Sequence, residues 1–134
     1  MNTISIHWTP DLAVGITEID DQHRQLFSLL ADFYTNLQKG AGRDVLAKML
    51  EDLMTYAGQH FIAEEAYLKD HPDLAQHRQQ HYSFIKQMNQ FERDYLLGNI
   101  SLSVDMVKYV TNWLQGHISD IDKEFFSSMQ SKAE

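Results

Sequence analysis

Four stretches of this chain carry apolar residues at three- and four-residue intervals, and its only two prolines, Pro10 and Pro72, fall outside or between them. Such spacing puts the apolar side chains on one face of a helix, so the chain reads as four amphipathic helices that must bury those faces against one another. The first runs from about Glu18 to Lys39, with Ile19, Leu26, Phe27, Leu30, Phe33, Tyr34 and Leu37 in its seam, and stops at Gly40-Ala41-Gly42. The second, from about Arg43 to Lys69, carries Leu46, Met49, Leu50, Leu53, Ala57, Phe61 and Leu68 and ends at His71-Pro72-Asp73. The third, from about Asp73 to Leu97, carries Leu74, Phe84, Ile85, Met88, Phe91 and Tyr95 and closes on Gly98-Asn99. The last, from about Ser103 to Met129, carries Met106, Val110, Trp113, Leu114, Ile118, Ile121 and Phe125, with Ser101 or Ser103 available as its cap. Short connections between helices of similar length make sequential neighbours antiparallel, which predicts an all-α, up-down-up-down four-helix bundle. Residues 1–17 are left as an N-terminal arm, folded across the bundle by Trp8, and nothing divides residues 1–134 into more than one domain.

Composition then removes function classes. The chain has no cysteine, so disulfides, iron–sulfur clusters, covalently attached haem and thiolate zinc sites are excluded, and any metal must be held by nitrogen and oxygen. A net charge of −8 without a basic patch argues against nucleic acid as a partner. No run of about 18 apolar residues is present, which argues against membrane insertion. The N-terminal stretch Met1–Trp8 lacks the basic and apolar segments of a secretory signal, so a cytoplasmic location is expected.

Seven histidines stand out. Five of them, His23, His60, His77, His81 and His117, fall within the apolar seams, and all four helices contribute at least one. His60/Glu64 and His77/His81 are four apart, so each pair projects from one helix face. Any one alone reads as a core histidine bonded to a carboxylate or the backbone. Together with two carboxylates, the five offer more donors than the three or four ligands of a single zinc site, and two metal ions are the economical solution. Imidazole and carboxylate without sulfur suit iron, manganese, copper or zinc.

Counting positions narrows the chemistry. Three histidines, two bridging carboxylate oxygens and a bridging oxygen fill one octahedral ion, whereas two histidines with the same bridges leave its neighbour one vacancy, where a small molecule can bind. The carboxylate-rich two-metal bundle uses paired Glu-x-x-His motifs. Here there is no Glu-x-x-His, the nearest match being Asp20-Asp21-Gln22-His23. A histidine-rich site suits binding better than oxidation, since fewer anionic ligands stabilise highly oxidised states less.

Over nearly its whole length the chain resembles the hemerythrin family, in particular its stand-alone bacterial members. Trp8 followed by Val14-Gly15-Ile16-Thr17-Glu18-Ile19-Asp20-Asp21-Gln22-His23 is similar to the family's opening, and His60-Phe61-Ile62-Ala63-Glu64-Glu65 to its second signature. His77-x3-His81 matches the third, and Trp113-Leu114-x2-His117-Ile118-x3-Asp122-Lys123 the last. The resemblance implies two iron ions with an oxo or hydroxo bridge. It makes His77, His81 and His117 ligands of the saturated iron, His23 and His60 ligands of the open one, and Glu64 and Asp122 the bridges. Phe61, Trp113, Leu114 and Ile118, beside the ligands in sequence, form an apolar oxygen pocket that excludes water and competing anions.

The chain departs from the family pattern between Glu64 and His77, a stretch about two residues shorter than usual. Leu68 stands where Met is common and His71-Pro72 where Tyr-Pro is common, which implies a tighter turn with His71 as a surface loop residue. His7 has no motif role. Asp122 raises a separate geometric question, because five residues after His117 it lies ~140° away on a regular helix, and spacing alone prefers Asp120. The family pattern selects Asp122, which requires the helix to widen locally or the side chain to reach sideways.

The implied function is reversible dioxygen binding for carriage, storage, delivery or sensing, with dioxygen as the ligand and a monomer as the expected state. The alternative is a di-iron enzyme such as a peroxidase, a nitric-oxide-handling protein or an iron oxidase. No general acid or base remains once the ligands are assigned, so a non-enzyme is expected.

Overall fold

A computed structural model describes residues 6–98, 102–124 and 126, with the backbone alone for 102–104 and 120. Helix α1 spans Thr17–Gln38, α2 Arg43–Tyr67, α3 Leu74–Leu96 and α4 Leu102–His117. The first three agree with the expected segments to within one or two residues. The fourth α-helix stops earlier than expected: α4 gives way at His117 to a π-helical turn, Ile118–Asp122, and Lys123, Glu124 and Phe126 are again α-helical. Expected positions Ser101, Phe125 and Met129, and the side chain of Ser103, lie outside the described residues.

Each helix packs against the next, and α1 also packs against α4, which closes the ring into a four-helix bundle. The α1–α2 corner shows why these ends are sharp. Gly40 takes φ +76°, and the Gly40 and Ala41 amides donate to the carbonyls of Leu37 and Asn36, closing the end of α1 through a left-handed residue that costs glycine nothing. Gly98, with φ +100°, ends α3 in the same way.

The apolar seams meet in one core. Ile19, Leu26, Phe27, Leu30 and Phe33 of α1 and Leu46, Leu50, Leu53 and Phe61 of α2 are buried, as are Phe84 and Met88 of α3 and Met106, Val107, Val110 and Leu114 of α4. Tyr34, Leu37, Met49, Ile85, Phe91 and Ile121 lie half-buried at its edge. Between α2 and α3 the chain turns tightly, with the His71 amide on the Leu68 carbonyl at 2.8 Å and Leu68 fully buried beneath. His71 is half-buried in this turn, and its Nδ1 accepts the Asp73 amide at 3.1 Å.

The arm does lie against the bundle, but Trp8 is not its main anchor. Ile6, Leu12 and Val14 are buried, whereas Trp8 is half-buried under the Arg24 guanidinium, 4.2 Å from the ring centroid. A short 3-10 helix, Pro10–Leu12, packs on the π-turn, and Lys123 Nζ donates to the Asp11 carbonyl at 2.7 Å. Asp20 of α1, itself buried, accepts the Val14 amide at 2.8 Å and the Gly15 amide at 3.3 Å. Arm and bundle are thereby pinned together three residues before His23. No helix among the described residues is long and apolar enough to cross a membrane.

Candidate metal centre

All seven side chains singled out as ligands point into the bundle. His23, His60, His77, His81, His117, Glu64 and Asp122 are each buried, Glu64 and Asp122 completely. Isolated imidazoles and carboxylates in such surroundings are costly unless something compensates them.

They form two groups that share carboxylates. Glu64, His77, His81, His117 and Asp122 offer ligand atoms within 4.8 Å of one another, and His23, His60 and Glu64 do the same. Asp122 Oδ1 lies 3.0 Å from Nε2 of both His77 and His117, while its Oδ2 lies 3.3 Å from Nε2 of His23. Glu64 Oε1 touches His60 Nε2 and stands 3.6 Å from His23 Nε2 and 3.9 Å from His81 Nε2. Its Oε2 is 3.7 Å from His77 Nε2. Each carboxylate thus faces both groups.

The π-turn is what delivers Asp122. Its closing bond runs from the Lys123 amide to the Ile118 carbonyl, five residues back instead of four. The extra residue in the turn rotates position 122 back over His117, which a regular helix would not do. Local widening is therefore the answer to the geometric question the sequence posed.

A metal fits these donors. The carboxylate oxygens of Glu64 and Asp122 and the Nε2 atoms of His23, His81 and His117 are shut off from solvent without a hydrogen bond in proper geometry. Two ligands at right angles, each ~2.1 Å from one ion, sit ~3 Å apart, the separation Asp122 keeps from His77 and His117. The groups that face these carboxylates are the five imidazoles, so the donor set holds nitrogen and oxygen only.

The sequence profile described as "Hemerythrin HHE cation binding domain" matches residues 14–128. The chain belongs to the hemerythrin family. A bacteriohemerythrin from Clostridium acetobutylicum is 32% identical over 126 residues, covering 88% of this chain and 96% of its own. A second bacteriohemerythrin, from Methylococcus capsulatus, is 26% identical over 119 residues, with 87% and 90% covered. Hemerythrin subunit 2 of Golfingia vulgaris is 28% identical over 120 residues, with 88% of each chain covered.

Around the hemerythrin centre, three side chains that the sequence reading did not single out hold the histidines from behind. His60 Nδ1–H donates to Gln22 Oε1 at 2.7 Å, His117 Nδ1–H to Gln80 Oε1 at 2.8 Å, and His81 Nδ1–H to Glu65 Oε2 at 3.0 Å. An oxygen acceptor requires the proton on Nδ1, which leaves the Nε2 lone pair facing the cluster. Gln22 and Gln80 each precede a histidine in sequence but serve a histidine on another helix, so only the assembled bundle reveals them.

The aromatic residues also find definite places. Phe61 stacks on the His81 ring at 3.9 Å and Trp113 on the His117 ring at 4.3 Å, both on the three-histidine side, and the Phe61 centroid is 5.8 Å from that of His60. Leu114 and Ile118 are buried in the core. His7 is exposed on the arm, so neither it nor His71 joins the cluster.

The cluster also sets its own charges. Burial opposes a proton on His23, but the adjacent Asp122 and Glu64 carboxylates outweigh it and lift its pKa to about 9. His81 goes the other way, pushed down to about 2 by burial and then by His117 and His77. For Asp122 burial favours the neutral acid, yet His117, His23 and His77 hold it well below the usual carboxylate range.

Proposed function

We propose that this hemerythrin binds dioxygen reversibly at a non-haem di-iron centre, serving oxygen carriage, storage, delivery or sensing. The observation that carries the reading is Asp122, whose two oxygens face histidines of both groups at 3.0–3.3 Å. A carboxylate so placed is suited to join two ions, and Glu64, which also belongs to both groups, would be the second to do so. His77, His81 and His117 would hold one iron and His23 and His60 the other, a set one donor poorer that would leave room for dioxygen.

When bound, the ferrous pair supplies the electrons that dioxygen needs to bind and recovers them on release. The residues of the chain do the rest. Gln22, Glu65 and Gln80 hold the Nδ1 protons and so keep the imidazoles oriented toward the irons. Phe61, Trp113, Leu114 and Ile118, the apolar side chains beside the donors, would keep water and anions from competing. The protein on this reading is a binding protein and not an enzyme. A single hemerythrin domain over residues 1–134, acting as a monomer in the cytoplasm, is the accompanying reading.

Anaerobic loading with ferrous iron, followed by repeated oxygenation and deoxygenation watched by visible absorbance, tests this. An oxygenated spectrum that appears and disappears over several cycles is expected. Irreversible bleaching on the first exposure, with turnover of an added peroxide or nitric oxide, would favour an enzyme.

A further inference from the structure

Of the three imidazoles held from behind, one is treated differently. His60 and His117 donate to neutral amides, Gln22 and Gln80. His81 donates to a carboxylate, Glu65 Oε2, and the other oxygen of Glu65 accepts the Arg78 Nε–H at 3.0 Å. Glu65 follows Glu64 on α2, and Arg78 lies three residues before His81 on α3. The result is a short chain from an exposed guanidinium, through a carboxylate held by both its oxygens, to a buried ring. Phe61 lies flat on that ring, with 10° between the planes. Phe61 therefore fixes the plane of His81 and Glu65 its rotation within the plane.

We propose that Glu65 is a positioning residue for the metal centre: clamped by Arg78, it aims His81 Nε2 at the cluster and makes that imidazole a stronger donor than its amide-backed neighbours. The inference rests on His81 being a ligand, as read above. A carboxylate acceptor polarises the Nδ1–H bond and shifts electron density toward Nε2, which a neutral amide does less. The alternative role, a strut between α2 and α3, is weak: the Arg78 side chain is 60% exposed, and ion pairs of that kind add little stability.

The test uses the full chain loaded with zinc, which is diamagnetic and needs no oxygen chemistry. Zinc release into excess chelator is timed, and the His81 Nδ1–H proton is followed by NMR on 15N-histidine protein. In Glu65→Gln the first zinc should leave roughly 10–100-fold faster, the usual cost of losing such a partner. The Nδ1–H resonance should move upfield, a change that a strut role would not cause. Arg78→Ala, on an exposed helix surface, should shift the Nδ1–H resonance slightly upfield and speed release by about two- to fivefold. This second variant keeps the idea testable should Glu65→Gln fail to fold, for an unchanged release rate together with an unchanged Glu65–His81 coupling in the NMR spectrum would count against the clamp. Release at the wild-type rate from Glu65→Gln, or an unmoved resonance, overturns the proposal. Failure of the wild-type chain to take up two zinc ions would instead overturn the two-metal reading beneath it.

Discussion

In the metal-free protein His23 carries the proton that an incoming ion must displace. Its pKa is raised to about 9 by Asp122 and Glu64 acting against burial, so at pH 7 only about one molecule in a hundred has Nε2 free to bind a metal. Metal binding requires the neutral ring. The sign follows: a raised pKa favours the protonated, non-binding form, so apparent affinity must rise with pH. The rise should be about tenfold per pH unit from pH 7 to 9, level off above that, and total about 100-fold, or about 2.7 kcal/mol at 1.36 kcal/mol per unit. An ordinary imidazole, at about 6.5, has ceased to contribute by pH 7.5. His81, already neutral at its pKa of about 2, adds no slope, and Asp122 is ionised throughout. Zinc competition against a chelator of known pH dependence, from pH 6.5 to 9.5, measures this directly. Affinity that is flat between pH 7.5 and 9 would refute the reasoning, as would a slope in that window that survives in His23→Gln.

The same shift predicts that metal-free protein is stabilised by His23 fully below pH 6.5 and loses that contribution as pH rises through 9; urea midpoints that do not fall over that window would contradict it. Asp122→Ala removes a charge that faces both groups, so iron should fall from two per chain to one or none by elemental analysis, and full retention would remove it from the ligand set. Phe61→Ala takes a buried ring off His81 and Phe84 and should cost about 3–5 kcal/mol in chemical denaturation; a loss below about 1 kcal/mol would mean the site repacks. Asp20→Ala strips the acceptors from the Val14 and Gly15 amides, at a cost of about 1.5–3 kcal/mol, and hydrogen exchange at Val14 should accelerate; unchanged protection there would refute the anchoring role. His7→Ala and His71→Ala should leave the iron count unaltered, and a reduced count in either would add a donor to the set.

The three earlier helices were legible because regular α-helices keep their period: Ile19, Leu26, Leu30 and Leu50, Leu53, Ala57 mark one face each, and Gly40 and Gly98 mark the ends. The five seam histidines were legible for the same reason, since an imidazole repeated inside an apolar stripe has no ordinary partner. Periodicity failed at the end of α4. A regular helix points to Asp120, whereas the π-turn brings Asp122 to the cluster. Nothing in helix propensity signals that turn; only the likeness of Trp113–Lys123 to a hemerythrin signature did. The Nδ1 partners were hidden for another reason. Gln22, Glu65 and Gln80 serve histidines 38, 16 and 37 residues away, across helix pairs whose rotation the sequence does not specify. In the arm, size points to Trp8 as the anchor, but it is the smaller Ile6, Leu12 and Val14 that are buried, with Trp8 half-buried beside them.

Two irons held by this one set of seven side chains should take up a single dioxygen and give it back. Oxygen uptake by the anaerobic ferrous protein, titrated against iron counted on the same sample, tests this most directly. One dioxygen bound per two irons per chain is expected, recovered in full when oxygen is withdrawn. One metal per chain, or oxygen consumed without recovery, would contradict it.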